Sequence, residues 1–479
     1  MPPVKHVIGT FARTELGECQ SSWQQRQARF LRPARSRTVS ALRRPTVDMA
    51  DYRRMAALRA RLGSPRVLAG LASISGGTIA SQAVVVASML LLTRLYSPES
   101  FGIYSYILAL AGVAATIATG RLEAAIPLAV TRDRAHLICR VAVAAVSVFT
   151  FICALLVAFV GSALDAHSDL PLLPWLWFLP PLTTAIALWG VVTQMLARDR
   201  RYRSLAGRSV ANGMSTSVGK LVLAWLPGPS GLLAGETAGR LAVVSGFLWT
   251  RRGALFVRHP LLGAKTELRR FWRLPAFFAP AAAMNAFGLQ LPLLLTASLF
   301  GAEAAGALGL ASLFTSVPAA VLGTAVTQVF MGEVASRHRQ GTGTLRRTYL
   351  HASFRLLIVS LPAAAVMLLL PPSFYGLVLG PAWLPVGEYV RAISLAAAAG
   401  LIAGPLSQVL FITQSGLATL LLDGFRVVSV LLCGWIASMS GASSVETVFV
   451  MYLALATTYG LTWLVGLRVA GAHQGSETK

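Results

Sequence analysis

The sequence predicts an all-α integral membrane protein with about twelve transmembrane helices, set as two parallel six-helix bundles around a central cavity. Three observations predict it. The chain of 479 residues is 55% hydrophobic and only 13% charged, with a mean hydropathy of +0.65. Soluble domains carry about a quarter charged residues, so this much apolar surface needs lipid rather than a single core. About a dozen long apolar segments alternate with short polar connections. Arg and Lys concentrate in every second connection, which orients the chain as well as counting its crossings.

The apolar segments come first. Windows of about 20 apolar residues mark spans at 67–95, 101–130, 135–160, 172–196, 205–226 and 232–249. Six more follow at 277–300, 305–331, 354–370, 389–412, 417–439 and 445–469. Pro362, Pro371 and Pro372 interrupt the ninth.

The connections fix the sides. One side takes Arg132, Arg134 and Arg140, then Arg198, Arg200, Arg201 and Arg203, then the basic run from Arg251 to Arg273, then Arg337, Arg339, Arg346 and Arg347. The other side takes the segments at 97–100, 165–169, 227–230, 301–303 and 440–444, none of which contains Lys or Arg. Arg94 and Arg391 lie just inside neighbouring spans. The positive-inside rule makes the first side cytoplasmic and places both termini there.

This reading divides the chain into a cytoplasmic Arg-rich tail at 1–65, expected to be disordered, a six-helix bundle at 66–250 and a basic surface linker at 251–274. A second six-helix bundle at 275–470 and a short cytoplasmic tail at 471–479 complete it. The tail lacks the apolar core of a secretory signal. An organelle transit peptide, or translation from Met49 or Met55, are the other readings of that segment. The net charge of +24 does not point to nucleic acid, because the charge sits in the tail and at membrane edges. Cys19, Cys139, Cys153 and Cys433 have no metal or disulfide spacing and read as small apolar groups.

A short internal repeat supports two halves. Leu95-Tyr96, Glu99 and Gly102 recur as Leu299-Phe300, Glu303 and Gly306 at one constant offset. Six crossings return the chain to its starting side, so the halves are parallel about an axis along the membrane normal.

No enzyme signature is present: no Gly-rich phosphate loop with Lys-Ser/Thr and no HExxH. No catalytic, cofactor or metal residues are assigned. Charges inside spans are costly and point to a bundle interior or wet cavity. Glu236 and Arg240 are i,i+4 near mid-depth, and Asp423 and Arg426 are i,i+3 at similar depth. They either form a cavity for an anionic head group or are ion bridges tying helices together. Arg121 and Glu123 sit at the inner end of the second span, as a gate or as groups reaching to lipid phosphates. Lys220 and Arg391 fall nearer the outer face, where such reaching is again expected. Gln82, Asn285, Gln290, Gln328 and Gln408 are amides within apolar spans. They either line the cavity or bond helix to helix.

Four stretches carry a family resemblance: LTRLYSPESFGIYSYILALAGVAATIATGRLEAAIPL at 92–128, GETAGRL at 235–241, residues 275–333 with VPAAVLGTAVTQVFMGE, and residues 374–414 with FYGLVLGPAWLPVGEYVRAISL and PLSQVLFITQ. These resemble the bacterial oligosaccharide flippases of polysaccharide and O-antigen biosynthesis, within the multidrug/oligosaccharidyl-lipid/polysaccharide exporter superfamily. The resemblance implies transport of a polyprenyl-pyrophosphate-linked oligosaccharide across the bacterial inner membrane. Arg240 and Arg426 would then offset phosphate charge while amides bond sugar. It also implies membrane lipids, a glycan polymerase and export machinery as partners. The long Arg-rich N-terminus departs from the family pattern. The competing expectations are an ion-coupled multidrug exporter and a lipid II flippase of the same superfamily. A membrane-embedded glycan polymerase or ligase is disfavoured by the short outer loops.

Overall fold

The structure is a computed structural model that describes residues 65–472 except 130, 165–172, 251–263, 273, 341–344, 408 and 411–415. The expected N-terminal tail, most of the basic linker and residues 473–479 lie outside the described residues. Everything described belongs to the compact unit that begins at Pro65.

The first group of helices comprises α1 (Pro65–Leu95), α2 (Pro98–Ala118), α3 (Arg132–Leu164), α4 (Leu179–Arg198), α5 (Tyr202–Val222) and α6 (Ser230–Thr250). A short helix, α7 (Ala264–Arg270), follows. The second group comprises α8 (Ala279–Gln340), α9 (Leu345–Leu369), α10 (Pro372–Leu379), α11 (Val386–Leu406), α12 (Gly416–Met439) and α13 (Ser444–Ala472). Among the described residues nine segments are long and apolar enough to cross a membrane. Two features account for the smaller number than the twelve expected. The seventh expected span and the first part of the eighth fall in one such segment, Leu274–Ser316. Helices α5 and α6, which carry Lys220, Glu236 and Arg240, are not among the nine.

The 62-residue α8 is two arms. Its backbone leaves helical geometry at Gly301, with φ 86° and ψ 179°, a conformation that glycine adopts without penalty. A straight helix would separate Asn285 from Thr315 by about 45 Å. Both line one cavity, so the arms run back alongside each other from Gly301.

The second expected span is shorter than read from the sequence. Helix α2 stops at Ala118, and Gly120 (φ 55°) and Arg121 (φ 57°) both take left-handed conformations. A 3₁₀ turn, Leu122–Leu128, then carries Pro127. Continuous hydropathy concealed this break, because apolar character does not report backbone geometry. The ninth span also differs. Helix α9 runs through Pro362 and ends before Pro371, and Pro372 opens α10. Proline is tolerated at that first-turn position because its missing N–H had no helical partner.

Packing within each group is dense. In the first, α1 packs on α5, α5 on α6, and α4 on α2, α3 and α6; in the second, α11 packs on α8, α9 and α13, and α12 on α8 and α13. The groups meet mainly where α2 lies along α8. A Cβ on Gly102 would stand 1.7 Å from the Ala302 carbonyl oxygen, and one on Gly306 would stand 1.9 Å from that of Pro98. Gly306 and Ala302 are the repeat partners of Gly102 and Pro98. The contact is therefore reciprocal, as a two-fold relation between halves requires. Close backbone approach through glycine is how helices gain attraction in lipid, where no hydrophobic drive exists between them.

Around this seam sits a core of aromatic groups. Phe101 meets Trp383 edge to face at 5.1 Å, and the Trp383 indole N–H donates to the Thr93 carbonyl at 2.9 Å. Outward positions stay apolar: Leu156, Phe159, Leu369 and Leu377 are exposed, as a lipid-facing surface demands. Among the described cysteines, Cys139 and Cys153 are buried and Cys433 is half-buried, all as free thiols.

Gly102→Leu should destabilise the α2–α8 seam by at least about 1–3 kcal/mol, the usual cost of overpacking. Gly112→Leu serves as the control, since a Cβ there meets nothing within 4 Å. Thermal unfolding in detergent, followed by tryptophan fluorescence, should show a large fall for the first and little change for the second.

Candidate functional site

Helices α5 and α6 touch backbone to backbone. Gly231, Gly235 and Gly239 repeat every four residues along one face of α6. A Cβ on Gly235 would lie 2.3 Å from the Lys220 backbone nitrogen, and one on Gly239 would lie 2.5 Å from the Ser215 carbonyl oxygen. This small-residue seam brings Lys220 of α5 over Glu236 of α6.

The result is a buried charge cluster. The Lys220 ammonium donates to Glu236 Oε2 at 2.9 Å. Tyr104, on α2, donates its hydroxyl to the same oxygen at 3.2 Å and accepts from Lys220 Nζ at 3.4 Å. The Arg240 guanidinium pairs with the other oxygen, Glu236 Oε1. One carboxylate thus serves two cations, and the cluster carries a formal charge of +1. Side-chain exposure separates the two cations: 3% for Lys220 against 18% for Arg240. Arg240 lies at the centre of α6, and its buried Nε has no hydrogen-bond partner. Of the two cations, its side chain is the more accessible.

A second cluster lies in the other helix group. Arg426 Nη1 stands 3.0 Å from Asp423 Oδ1 and donates to Asn285 Oδ1 at 3.1 Å. The guanidinium sits over the Tyr459 ring at 5.6 Å. Both charged side chains are nearly fully buried, and the pair is formally neutral. Arg426 and Asn285 line a cavity of about 370 Å³ between α8, α11, α12 and α13.

The structure therefore joins Glu236 to Arg240, Asp423 to Arg426, and Asn285 to Arg426. Arg121 and Glu123 pair at 3.7 Å just beyond the end of α2, where Glu123 is buried and Arg121 is half-buried. Gln82 and Gln290 are half-buried and do not line the 370 Å³ cavity. The side chain of Gln328, and Gln408 entirely, lie outside the described residues.

Lys220 corrects the sequence reading. It does not reach to the outer face but is buried against Glu236. The signal was the glycine spacing on α6 together with Gly219 beside Lys220, which marks a contact too close for lipid to enter. Tyr104 had no such signal, since only the packing of α2 on α6 brings it to the carboxylate. Arg391 is half-buried and donates to the Leu370 carbonyl at 3.3 Å.

Removing one member of a buried charge cluster leaves its partners uncompensated, at a cost of about 3–5 kcal/mol. Glu236→Gln should cost the most, because it strands two cations. Lys220→Met should cost less, because Arg240 still neutralises Glu236. Melting temperatures of the purified variants should fall in that order, and equal falls would contradict the shared-carboxylate arrangement.

Residues 91–388 match a protein family described as polysaccharide biosynthesis protein. No curated protein matches the sequence. Solved structures do match in fold. One is the lipid II flippase MurJ in an inward closed conformation, at TM-score 0.61 and 13% identity, covering 83% of this chain and 86% of that one. Another is a MOP superfamily transporter from Pyrococcus furiosus, whose binding pocket of reversed polarity suggests a different function, at TM-score 0.58 and 13% identity, covering 86% and 96%. A third is an outward-facing multidrug resistance MATE family transporter of the MOP superfamily, at TM-score 0.58 and 12% identity, covering 85% and 96%.

Proposed function

We propose that this chain, which belongs to the polysaccharide biosynthesis protein family, is a flippase. It carries a polyprenyl-pyrophosphate-linked oligosaccharide from the cytoplasmic to the outer face of the bacterial inner membrane by alternating access. The single observation that supports this most is the excess cation at the centre of α6. Glu236 is shared between Lys220 and Arg240, so the cluster keeps a net positive charge, and the buried Arg240 Nε has no hydrogen-bond partner.

The physics follows from the solvent. A pyrophosphate carries charge and a glycan carries many hydroxyls, and neither crosses hydrocarbon unaided. A guanidinium held in a low-dielectric bundle attracts such an anion strongly and presents a planar fork that matches phosphate oxygens. Glu236 tempers that attraction. It offsets enough charge for the folded bundle to tolerate both cations, while leaving the site cationic. The polyprenyl tail stays in the bilayer as the head passes. No bond is made or broken, so no catalytic residue is assigned. Membrane potential would add about 2.3 kcal/mol per charge per 100 mV to the bias. A glycan polymerase and export machinery are the downstream partners this reading implies. The basic loops mark the cytoplasmic side, and the halves divide near 250 and 275.

The test is flipping of a fluorescent polyprenyl-pyrophosphate-linked oligosaccharide in proteoliposomes, with empty liposomes as control. Arg240→Gln should lower the rate about ten-fold or more, equivalent to about 1.4 kcal/mol, while Arg240→Lys keeps part of it. The melting temperature of Arg240→Gln should fall less than that of Glu236→Gln, because Lys220 still neutralises Glu236. Normal flipping by Arg240→Gln would sink the cationic-site reading. Export of cationic dyes under an ion gradient, without flipping, would replace the flippase reading with a multidrug exporter.

A further inference from the structure

We infer that the cavity of the second helix group is a binding pocket for a neutral saccharide, separate from the cationic cluster around Arg240. The inference rests on the flippase reading for the origin of its ligand, the glycan of the lipid-linked substrate. The pocket itself is argued from its own chemistry.

Charge comes first. The positive charge of Arg426 is already met by Asp423 at 3.0 Å. An anionic ligand would find no net cation here, in contrast to the first group, where Glu236 must serve two. A cationic ligand would meet a buried guanidinium. Formal charge thus selects a neutral occupant.

Hydrogen-bond polarity selects its class. Six hydroxyl-bearing side chains line the cavity, and the four that are Ser or Thr each donate the proton to a backbone carbonyl of the same helix or its cap. Thr315 donates to Ser312 at 2.9 Å, Ser316 to Leu313 at 3.1 Å, Ser407 to Gly404 at 2.7 Å and Thr462 to Thr458 at 2.8 Å. A hydroxyl whose proton is spent still accepts. These four hydroxyls supply acceptors, and Asn285 Nδ2 and Arg426 add N–H donors, a mixed lining that suits a ligand bearing many O–H groups. Arg426, whose buried Nε has no hydrogen-bond partner, is part of that lining. Tyr459 contributes a ring beside these groups, as an apolar surface for the C–H face of a sugar. A volume of about 370 Å³ falls within the roughly 300–1,000 Å³ of small-molecule sites.

The pocket can be filled without touching any charge. Gly404 lines it, and a Cβ there meets nothing within 4 Å. Gly404→Phe should therefore plug it, and Ala397→Phe plugs it from another turn of α11. Full-length protein in nanodiscs would be titrated with neutral mono- and disaccharides, with hexuronates and, separately, with undecaprenyl pyrophosphate. Neutral saccharides should bind the wild type, hexuronates should bind about ten-fold more weakly or not at all, and both plugs should abolish saccharide binding. Undecaprenyl pyrophosphate should bind the plugged variants normally and lose affinity in Arg240→Gln. The inference is overturned if no neutral saccharide binds the wild type, if hexuronates bind better, or if a folded plugged variant binds saccharide as the wild type does. It is equally overturned if a plug abolishes undecaprenyl pyrophosphate binding. Saccharide binding to a wild type that ignores undecaprenyl pyrophosphate would instead refute the flippase reading and leave the pocket standing.

Discussion

Glu236 answers to two cations, and much of the first helix group is arranged to let it. In lipid a lone buried charge is intolerable, so Lys220 and Arg240 need a shared counter-ion inside the bundle. That sharing demands close approach of α5 and α6, which the glycines at 231, 235 and 239 allow. It also draws Tyr104 of α2 into the cluster, tying it to the helix that packs along α8. A bulky residue on the α6 seam would thus disturb packing and electrostatics together.

The two halves share a framework and diverge in chemistry. At the α2–α8 seam, Gly102 against Ala302 and Gly306 against Pro98 form a reciprocal contact. Away from the seam, one half concentrates net positive charge at Glu236 and its two cations. The other neutralises its arginine locally and surrounds it with hydroxyls and aromatic rings. A substrate with an anionic end and a polyhydroxyl end fits such a division of labour. The divergence also explains why local charge, and not mere presence of arginine, distinguishes Arg240 from Arg426. Their sequence settings look alike, each with an acid within one helical turn. The third residue, Lys220 in one case and Asn285 in the other, sets the balance.

Much was legible in the chain itself. Hydropathy and loop charge predicted an all-α membrane protein, because lipid allows few ways to satisfy a backbone and penalises charge wherever it is not sheltered. The i,i+4 and i,i+3 spacings paired Glu236 with Arg240 and Asp423 with Arg426, since helical periodicity alone brings such residues together. The matching segments around Glu99 and Glu303 pointed to two related halves. The tertiary structure decided the rest. It ended α2 at Ala118 through left-handed backbone at Gly120 and Arg121, which hydropathy does not encode. It turned Lys220 inward, because burial depends on which helix lies opposite and how closely. It brought Asn285 to Arg426 across 141 residues and closed a cavity from four helices. Local pattern reports which residues share a helix face, while long-range contacts depend on how those faces pair in space.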